Sequence, residues 1–252
     1  MSPAGRLAHL RAKLALIETG HAPAAAVLPF GDARIDAVLP GGGLPLGRWH
    51  EAAGEGLEIE TAAATAGFVT ALAAPLAGRG AVVWVMRRDD LFAPGLASLG
   101  FPAERLIQVR VRSEAQALAA LEDALAAAGV AAAVGEVEDV DLTAGRRLQL
   151  ACETHGATGF VLRRRPFGGA RRAQAVGTAA ASRWKIAPAP SEPPPGEPGL
   201  GPPRWRAELT RSRGGRTGAW LMERSDGAFP LRVVAELGDR ELAPAEPLSL
   251  AG

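Results

Sequence analysis

Between Arg48 and Leu162 short apolar runs alternate with longer stretches of helical period, and this alternation restricts the fold more than any other feature of the chain. The runs Arg48–Ala52, Ala81–Met86, Leu106–Val111, Val130–Val137 and Gly159–Leu162 predict strands. The segments Glu60–Ala74, Leu91–Leu99, Glu114–Ala128 and Thr143–His155 between them predict helices. Strands and helices in this order build an α/β fold with a mostly parallel, twisted sheet flanked by helices. The third helix is the best defined: Ser113 and Gln116 form a capping box, Leu118, Leu121 and Leu125 a buried stripe, and Gly129 the stop. Beyond Arg163 the pieces Arg183–Ala187, Arg204–Thr210, Gly218–Arg224 and Leu231–Ala235 are strand-like, so the sheet is expected to continue with antiparallel strands. Residues 187–203, APAPSEPPPGEPGLGPP, form a Pro-rich loop, because their prolines and glycines hold neither a helix nor a central strand.

The chain has 252 residues, 48% of them apolar and 22% charged, enough to bury a sizeable core without disulfides or a structural metal. Cys152 is the single cysteine, which excludes an internal disulfide and any multi-cysteine zinc site and fits a reducing, cytoplasmic setting. No signal-peptide layout opens the sequence, and the apolar stretch Ala115–Val134 is interrupted by Glu122 and Asp123, so no membrane span is expected. Only Lys13 and Lys185 are lysines among 28 basic residues, which nearly excludes lysine chemistry.

At the N-terminus, Leu7, Leu10, Leu14 and Ile17 share one face of an amphipathic helix, which suits either the core or a docking arm for another subunit. With the Pro/Gly-rich connector from His21 to Gly47 it makes an N-terminal unit, 1–47; the core is expected over 48–236 and a loose C-terminal tail over 237–252.

The stretch Leu39–Gly54, LPGGGLPLGRWHEAAG, leads into a strand-to-helix junction of the kind that carries a phosphate-binding loop. It resembles the approach to the ATP-binding loop of RecA-like recombinases. Together with VWVMRRDDLFAPGL at 83–96 and RWRAEL at 204–209, it also resembles the ImuA family, RecA-like proteins of the bacterial mutagenesis cassette, over residues 28–225. The resemblance implies a RecA-like core. It also implies an accessory role in SOS-induced, error-prone translesion synthesis and the DNA damage response. The implied partners are an ImuB-type Y-family polymerase relative and an error-prone C-family polymerase, with RecA and single-stranded DNA as further candidates.

The loop itself departs from the phosphate-binding pattern G-x-x-x-x-G-K-[ST], in which backbone N–H groups and one lysine cradle the phosphates. Here the sequence is GEGLEIET: counting from Gly54, Ile59 replaces the second glycine, Glu60 replaces the lysine, and only Thr61 is kept. A like-charge pair about 4 Å apart costs on the order of 4 kcal/mol at an effective dielectric near 20, so Glu55, Glu58 and Glu60 oppose a triphosphate. Arg87 and Arg88 follow the next strand where RecA-like enzymes carry an acidic residue. Gly135 stands where a magnesium-binding aspartate belongs, with Glu136 one residue on. The expectation is a degenerate site with no cofactor, no metal and no ATPase activity. Glu136, Glu138, Asp139 and Asp141 fit a solvated acidic edge better than a metal site.

From Thr154 to Arg216 twelve basic residues face three carboxylates, so positive charge is concentrated there. The run RRRPFGGARR at 163–172 occupies the place of a DNA-binding loop in RecA-like proteins, and Arg163, Arg164, Arg165, Arg171 and Arg172 are its candidate contacts to DNA or an acidic partner. Phe167, Trp184 and Trp205 are candidates for stacking on bases or on a partner; a solvated arginine-rich loop is the plainer alternative. Cys152 and His155 lie three apart on a helix without a third orienting group, and His9, His21 and His50 lack metal spacing. A SulA-like cell-division inhibitor and an active recombinase or ATPase are the rival readings; the first has no need of the 163–172 run, and GEGLEIET argues against the second.

Overall fold

The computed structural model describes residues 26–164, 178–227 and 229–237. The segments holding Arg6–Ile17, Phe167, Arg165, Arg171, Arg172 and the tail from 238 lie outside the described residues. A two-stranded antiparallel ladder joins β1 (Val27–Leu28) to β2 (Leu44–Pro45), with the single-turn helix α1 (Ala33–Asp36) between them. The main sheet then begins with β3 (Trp49–Gly54), followed by helix α2 (Glu58–Ala73) and a 3-10 stretch, Ala74–Arg79. Next come β4 (Ala81–Met86), α3 (Ala93–Ala97), β5 (Leu106–Arg110), α4 (Glu114–Ala126), β6 (Val130–Val137), α5 (Leu142–His155) and β7 (Thr158–Arg163). Four strands close the described chain: β8 (Ser182–Ala189), β9 (Arg204–Ser212), β10 (Gly218–Arg224) and β11 (Leu231–Glu236).

The nine-stranded sheet runs β11-β10-β9-β8-β3-β7-β6-β4-β5. The strands from β5 to β8 are mutually parallel, and β8-β9-β10-β11 are joined antiparallel. The switch therefore falls one strand later than expected: β8 still pairs parallel with β3, and antiparallel pairing begins between β8 and β9. The Pro-rich segment joins β8 to β9 and leaves them antiparallel neighbours.

Each sheet face has its own core. On one side α2 lays Phe68, Val69 and Leu72 over Trp84, Trp184, Trp205 and Trp220; on the other, α4 and α5 cover Trp49, Val85 and Val161 with Leu121, Leu125 and Leu148. Removing each such side chain from water is worth about 1.5–3 kcal/mol. Glu58–Arg79 is long and apolar enough to cross a membrane by length and composition alone, but its apolar face is taken up by this packing. The connector expected over 21–47 is, from Ala26 on, built into the fold: Phe30, Ile35, Leu39, Leu44 and Leu46 are buried in the α2-side core.

Buried polar groups at the start of β3 and β8 pair with one another. His50 Nε2 lies 2.8 Å from the Pro45 carbonyl and so carries the proton; Nδ1, 2.7 Å from Ser182 Oγ, accepts the serine hydroxyl. Trp184 Nε1 in turn donates to Ser182 Oγ at 2.9 Å. Burial, partly offset by the Pro45 bond, pushes the imidazole pKa down to about 4, so His50 is a neutral pin between β2, β3 and β8.

The capping box at α4 is present in a shifted form. Gln116 N donates to Ser113 Oγ, and Gln116 Oε1 accepts from Arg112 N, one residue earlier than the reciprocal bond of the standard box. Under α4, a Cβ at Gly135 would stand 2.6 Å from Leu121 Cδ2, so this glycine is what lets the helix seat on β6. Gly135→Ala should lower unfolding stability by about 1–3 kcal/mol through overpacking. In Gly135→Ala/Leu121→Ala the two losses should sum to less than their separate values in urea denaturation, because the space vacated by the leucine takes the new methyl.

Candidate functional site

The carboxyl ends of parallel strands are where α/β proteins place their ligands, and here that edge is closed by an arginine. Arg164, the residue after β7, is bonded to Glu136 at the end of β6 (2.7 Å), to Glu58 in the first turn of α2 (3.0 Å) and to Asp90 after β4 (3.0 Å). Its side chain is 11% exposed, and Glu136 is 1% exposed. Glu136 also accepts from Trp84 Nε1 at 2.9 Å. Burial holds the Glu136 carboxyl above its ordinary value against the pull of Arg164 and Trp84. Burial works against the Arg164 charge too, yet Glu136, Asp90 and Glu58 together keep the guanidinium pKa raised.

Alternation along the strand sends Arg163 to the other face. There it meets Asp139 at 2.9 Å and Glu51 at 3.3 Å, the latter also shared with Arg183 at 3.2 Å. Arg163 and Arg164 therefore belong to the internal charge pairing of the sheet and not to an exposed basic loop. Trp184 and Trp205, expected as stacking platforms, are 1% and 3% exposed and belong to the core. The acidic positions are likewise employed: Glu138 pairs with Arg87 at 2.8 Å, Asp139 with Arg163, and Asp141 caps α5 through Ala144 N at 2.7 Å. Glu136 is thus a buried partner of Arg164 and not part of a solvated edge. Among the described residues no group of three or more His, Cys, Asp or Glu is arranged to hold a metal.

The junction at Gly54–Thr61 is tight. Only Glu55, Gly56 and Leu57 separate β3 from α2, and Gly56 takes a left-handed φ of 108°. A Cβ at Gly54 would lie 2.1 Å from Thr61 Oγ1, so the helix sits directly on the strand end. The Thr61 hydroxyl, buried, donates back to the Leu57 carbonyl at 2.9 Å. Glu55 N bonds the Ile186 carbonyl at 2.8 Å, and the Glu55 carboxylate bonds Arg206 at 2.6 Å. Glu60 Oε2 lies 3.7 Å from where a Cβ of Gly56 would be, so a carboxylate overhangs the loop, while Ile59 is 91% exposed. At Gly135, where the resemblance puts a magnesium-binding aspartate, even a Cβ meets Leu121.

Cys152 is buried, and desolvation raises its thiol pKa to about 12, while His155 is exposed at the helix end; the two make no catalytic pair. His9 and His21 lie outside the described residues. Glu51, Asp90, Arg48, Arg211 and Arg213 were not singled out from the sequence. A glutamate within the apolar run WHEAA was the available signal for Glu51, since a charge inside a central strand requires a partner.

Comparison with known proteins adds identity to this geometry. The chain is 58% identical over 238 residues to Protein ImuA of Caulobacter vibrioides, in strains NA1000 / CB15N and ATCC 19089 / CIP 103742 / CB 15, covering 91% of this chain and 98% of theirs. The chain belongs to the ImuA family. No family model matches it. Among solved structures, SulA from Pseudomonas aeruginosa is similar at 19% identity and a TM-score of 0.39, covering 46% of this ImuA-family chain and 96% of SulA; a likeness of that size carries no argument.

Removing the cation from the closed edge isolates a buried carboxylate. Arg164→Met should cost about 3–5 kcal/mol near neutral pH, since Glu136 is left uncompensated. In this variant the folded state binds a proton at Glu136 that the unfolded state releases, so stability should fall as pH rises from the unfolded carboxylate value through the raised folded one. Thermal unfolding across pH 4–8 checks this, and Arg164→Met/Glu136→Gln should recover much of the loss and flatten the pH dependence.

Proposed function

We propose that this ImuA-family chain is a non-catalytic accessory protein of SOS-induced, error-prone translesion synthesis, acting in the cytoplasm. It works beside an ImuB-type Y-family polymerase relative and an error-prone C-family polymerase, with RecA as a further partner. Arg165, Arg171 and Arg172 supply contacts to single-stranded DNA or an acidic partner. The family membership supports the biological setting, and the strand order fits a RecA-like ancestry. The observation that carries the non-catalytic reading is the Arg164 cluster together with the loop after β3. At the edge where a nucleotide would bind, Arg164 is committed to three carboxylates, Glu60 overhangs the loop, and the Thr61 hydroxyl is turned to the backbone. Three features that ATP chemistry needs, a lysine, open backbone N–H groups and a free hydroxyl, are each otherwise engaged or replaced.

Equilibrium binding of labelled ATP and ADP with magnesium should show no saturable component up to millimolar nucleotide, and ATP turnover should equal the buffer control. Micromolar binding abolished by Thr61→Ala would overturn the non-catalytic reading. Co-purification from damaged cells should return the two polymerase relatives; capture of a division protein with neither polymerase would overturn the accessory role in favour of a SulA-like one.

A further inference from the structure

The sheet ends laterally on β5. Among the described residues β5 pairs with β4 alone, in parallel, and its backbone hydrogen bonds run to that strand. Val111 N donates to the Met86 carbonyl at 2.9 Å, so the backbone groups of the odd-numbered residues face β4. Successive residues of a strand in a parallel ladder turn these groups to opposite sides, which directs the N–H and C=O of Leu106, Gln108 and Arg110 outward. The side chains along this edge reach solvent too: Ile107 is 49% exposed, and Gln108 and Arg110 are exposed as well.

Alternation puts Ile107, Val109 and Val111 on the α4 side of the sheet, where Val109 and Val111 pack against the core, and Leu106 on the α2 side. Past the end of the strand, a shallow groove toward α4 is lined by Val111, Ala119, Ala120 and Asp123. A short edge strand that carries arginine resists indiscriminate pairing and accepts a strand whose charges answer its own. A second β5 is such a strand. Laid antiparallel, the register that matches the whole of β5 to the whole of its copy is centred on Gln108 and sets Ile107 opposite Val109 and Leu106 opposite Arg110. Since the even-numbered residues point outward, the two Gln108 backbones form a hydrogen-bonded pair, and Leu106 and Arg110 do the same on either side. Continued past the strand, this register brings the turn Ala103–Arg105 of one copy to the Arg112 end of the other. The exposed Glu104 then meets the exposed Arg112, Arg105 meets the groove that holds Asp123, and the two-fold axis repeats both contacts.

We propose that this chain forms a two-fold dimer by pairing its β5 edge with the β5 edge of a second copy, in the antiparallel register centred on Gln108. The pairing satisfies the outward backbone groups, covers Ile107 with a β-branched neighbour, and matches Glu104 and Arg105 of each copy with Arg112 and Asp123 of the other. One sheet then runs through both copies. The inference goes beyond the accessory reading and does not rest on it, because it concerns only what a second copy of the chain supplies.

Sedimentation velocity of the full chain from about one to a few hundred micromolar tests the proposal, with a concentration-dependent dimer expected; a monomer throughout would overturn it. Gln108→Pro removes an N–H that points outward and none that bonds β4, so it should abolish the dimer and leave thermal unfolding of the dilute protein nearly unchanged. Glu104→Arg sets an arginine against Arg112 at both ends of the interface and should weaken dimerisation about tenfold or more, and Glu104→Arg/Arg112→Glu should restore it. These charge reversals leave the strand itself untouched, so they decide the question even where the proline variant does not fold. A dimer indifferent to both Gln108→Pro and Glu104→Arg forms elsewhere on the molecule, and a loss that the double reversal does not repair rules out this register; either result overturns the proposal. A dimer that survives Gln108→Pro but is lost on removal of residues 1–20 is held by the N-terminal segment, and a chain that stays monomeric until a polymerase partner is added keeps the edge for another protein; both results overturn it as well. Polymerase co-purification and nucleotide binding are read separately, so the accessory role stands or falls independently of the dimer.

Discussion

A guanidinium inside a protein must be matched by carboxylates, and the arrangement of this sheet's carboxyl edge follows from how Arg164 meets that demand. Leaving β7, it draws Glu136 from β6, Glu58 from the first turn of α2 and Asp90 from the loop after β4 into one cluster. Four elements are thereby tied at the edge where an α/β sheet would otherwise open to a ligand. The pairing is costly to break and poor at generating net stability, because desolvation of the partners offsets much of their attraction. Its effect is on the arrangement of the edge: it ties the ends of β4, β6 and β7 to the first turn of α2.

The charged groups of the chain thus divide between the two ends of the parallel strands. At the carboxyl end, arginines and carboxylates pair with one another, Arg164 with Glu136 on one face and Arg163 with Glu51 and Asp139 on the other. At the amino end, Arg211 and Arg213 share a backbone carbonyl, and Arg48 stands beside them with a single glutamate. A site whose charges are mutually neutralised has little left for a further charged group. The carboxyl edge of the parallel strands is part of the framework.

Much of the architecture was legible from residue pattern. β4, β6 and β10 lie on their predicted boundaries, and α4 carries its cap at Ser113 and its stop at Gly129, because period and capping are local properties of a few adjacent residues. The segment before Arg48 is less legible for a related reason. Pro and Gly in PFGDARIDAVLPGGGLPLG signal turns, but Phe30, Ile35, Leu39, Leu44 and Leu46 are too widely spaced to form a periodic stripe, and only the core of the sheet gathers them.

That position 60 carries a glutamate and not a lysine, and position 135 a glycine and not an aspartate, was fixed by residue identity alone, since no folding supplies a charge that the chain does not contain. The fate of the arginines was decided by tertiary structure. Arg163 and Arg164 begin a run of three arginines that looks, along the chain, like one basic patch; strand alternation sends the first two to opposite faces, where Glu51 and Glu136, 112 and 28 residues away, neutralise them. Arg211 and Arg213 look like ordinary members of a charged strand, yet they converge because residues i and i+2 share a face and the chain returns to lay Thr178 beside them. Charge is counted in sequence, but it is paired in space, and pairs between distant strands are set by sheet order and register.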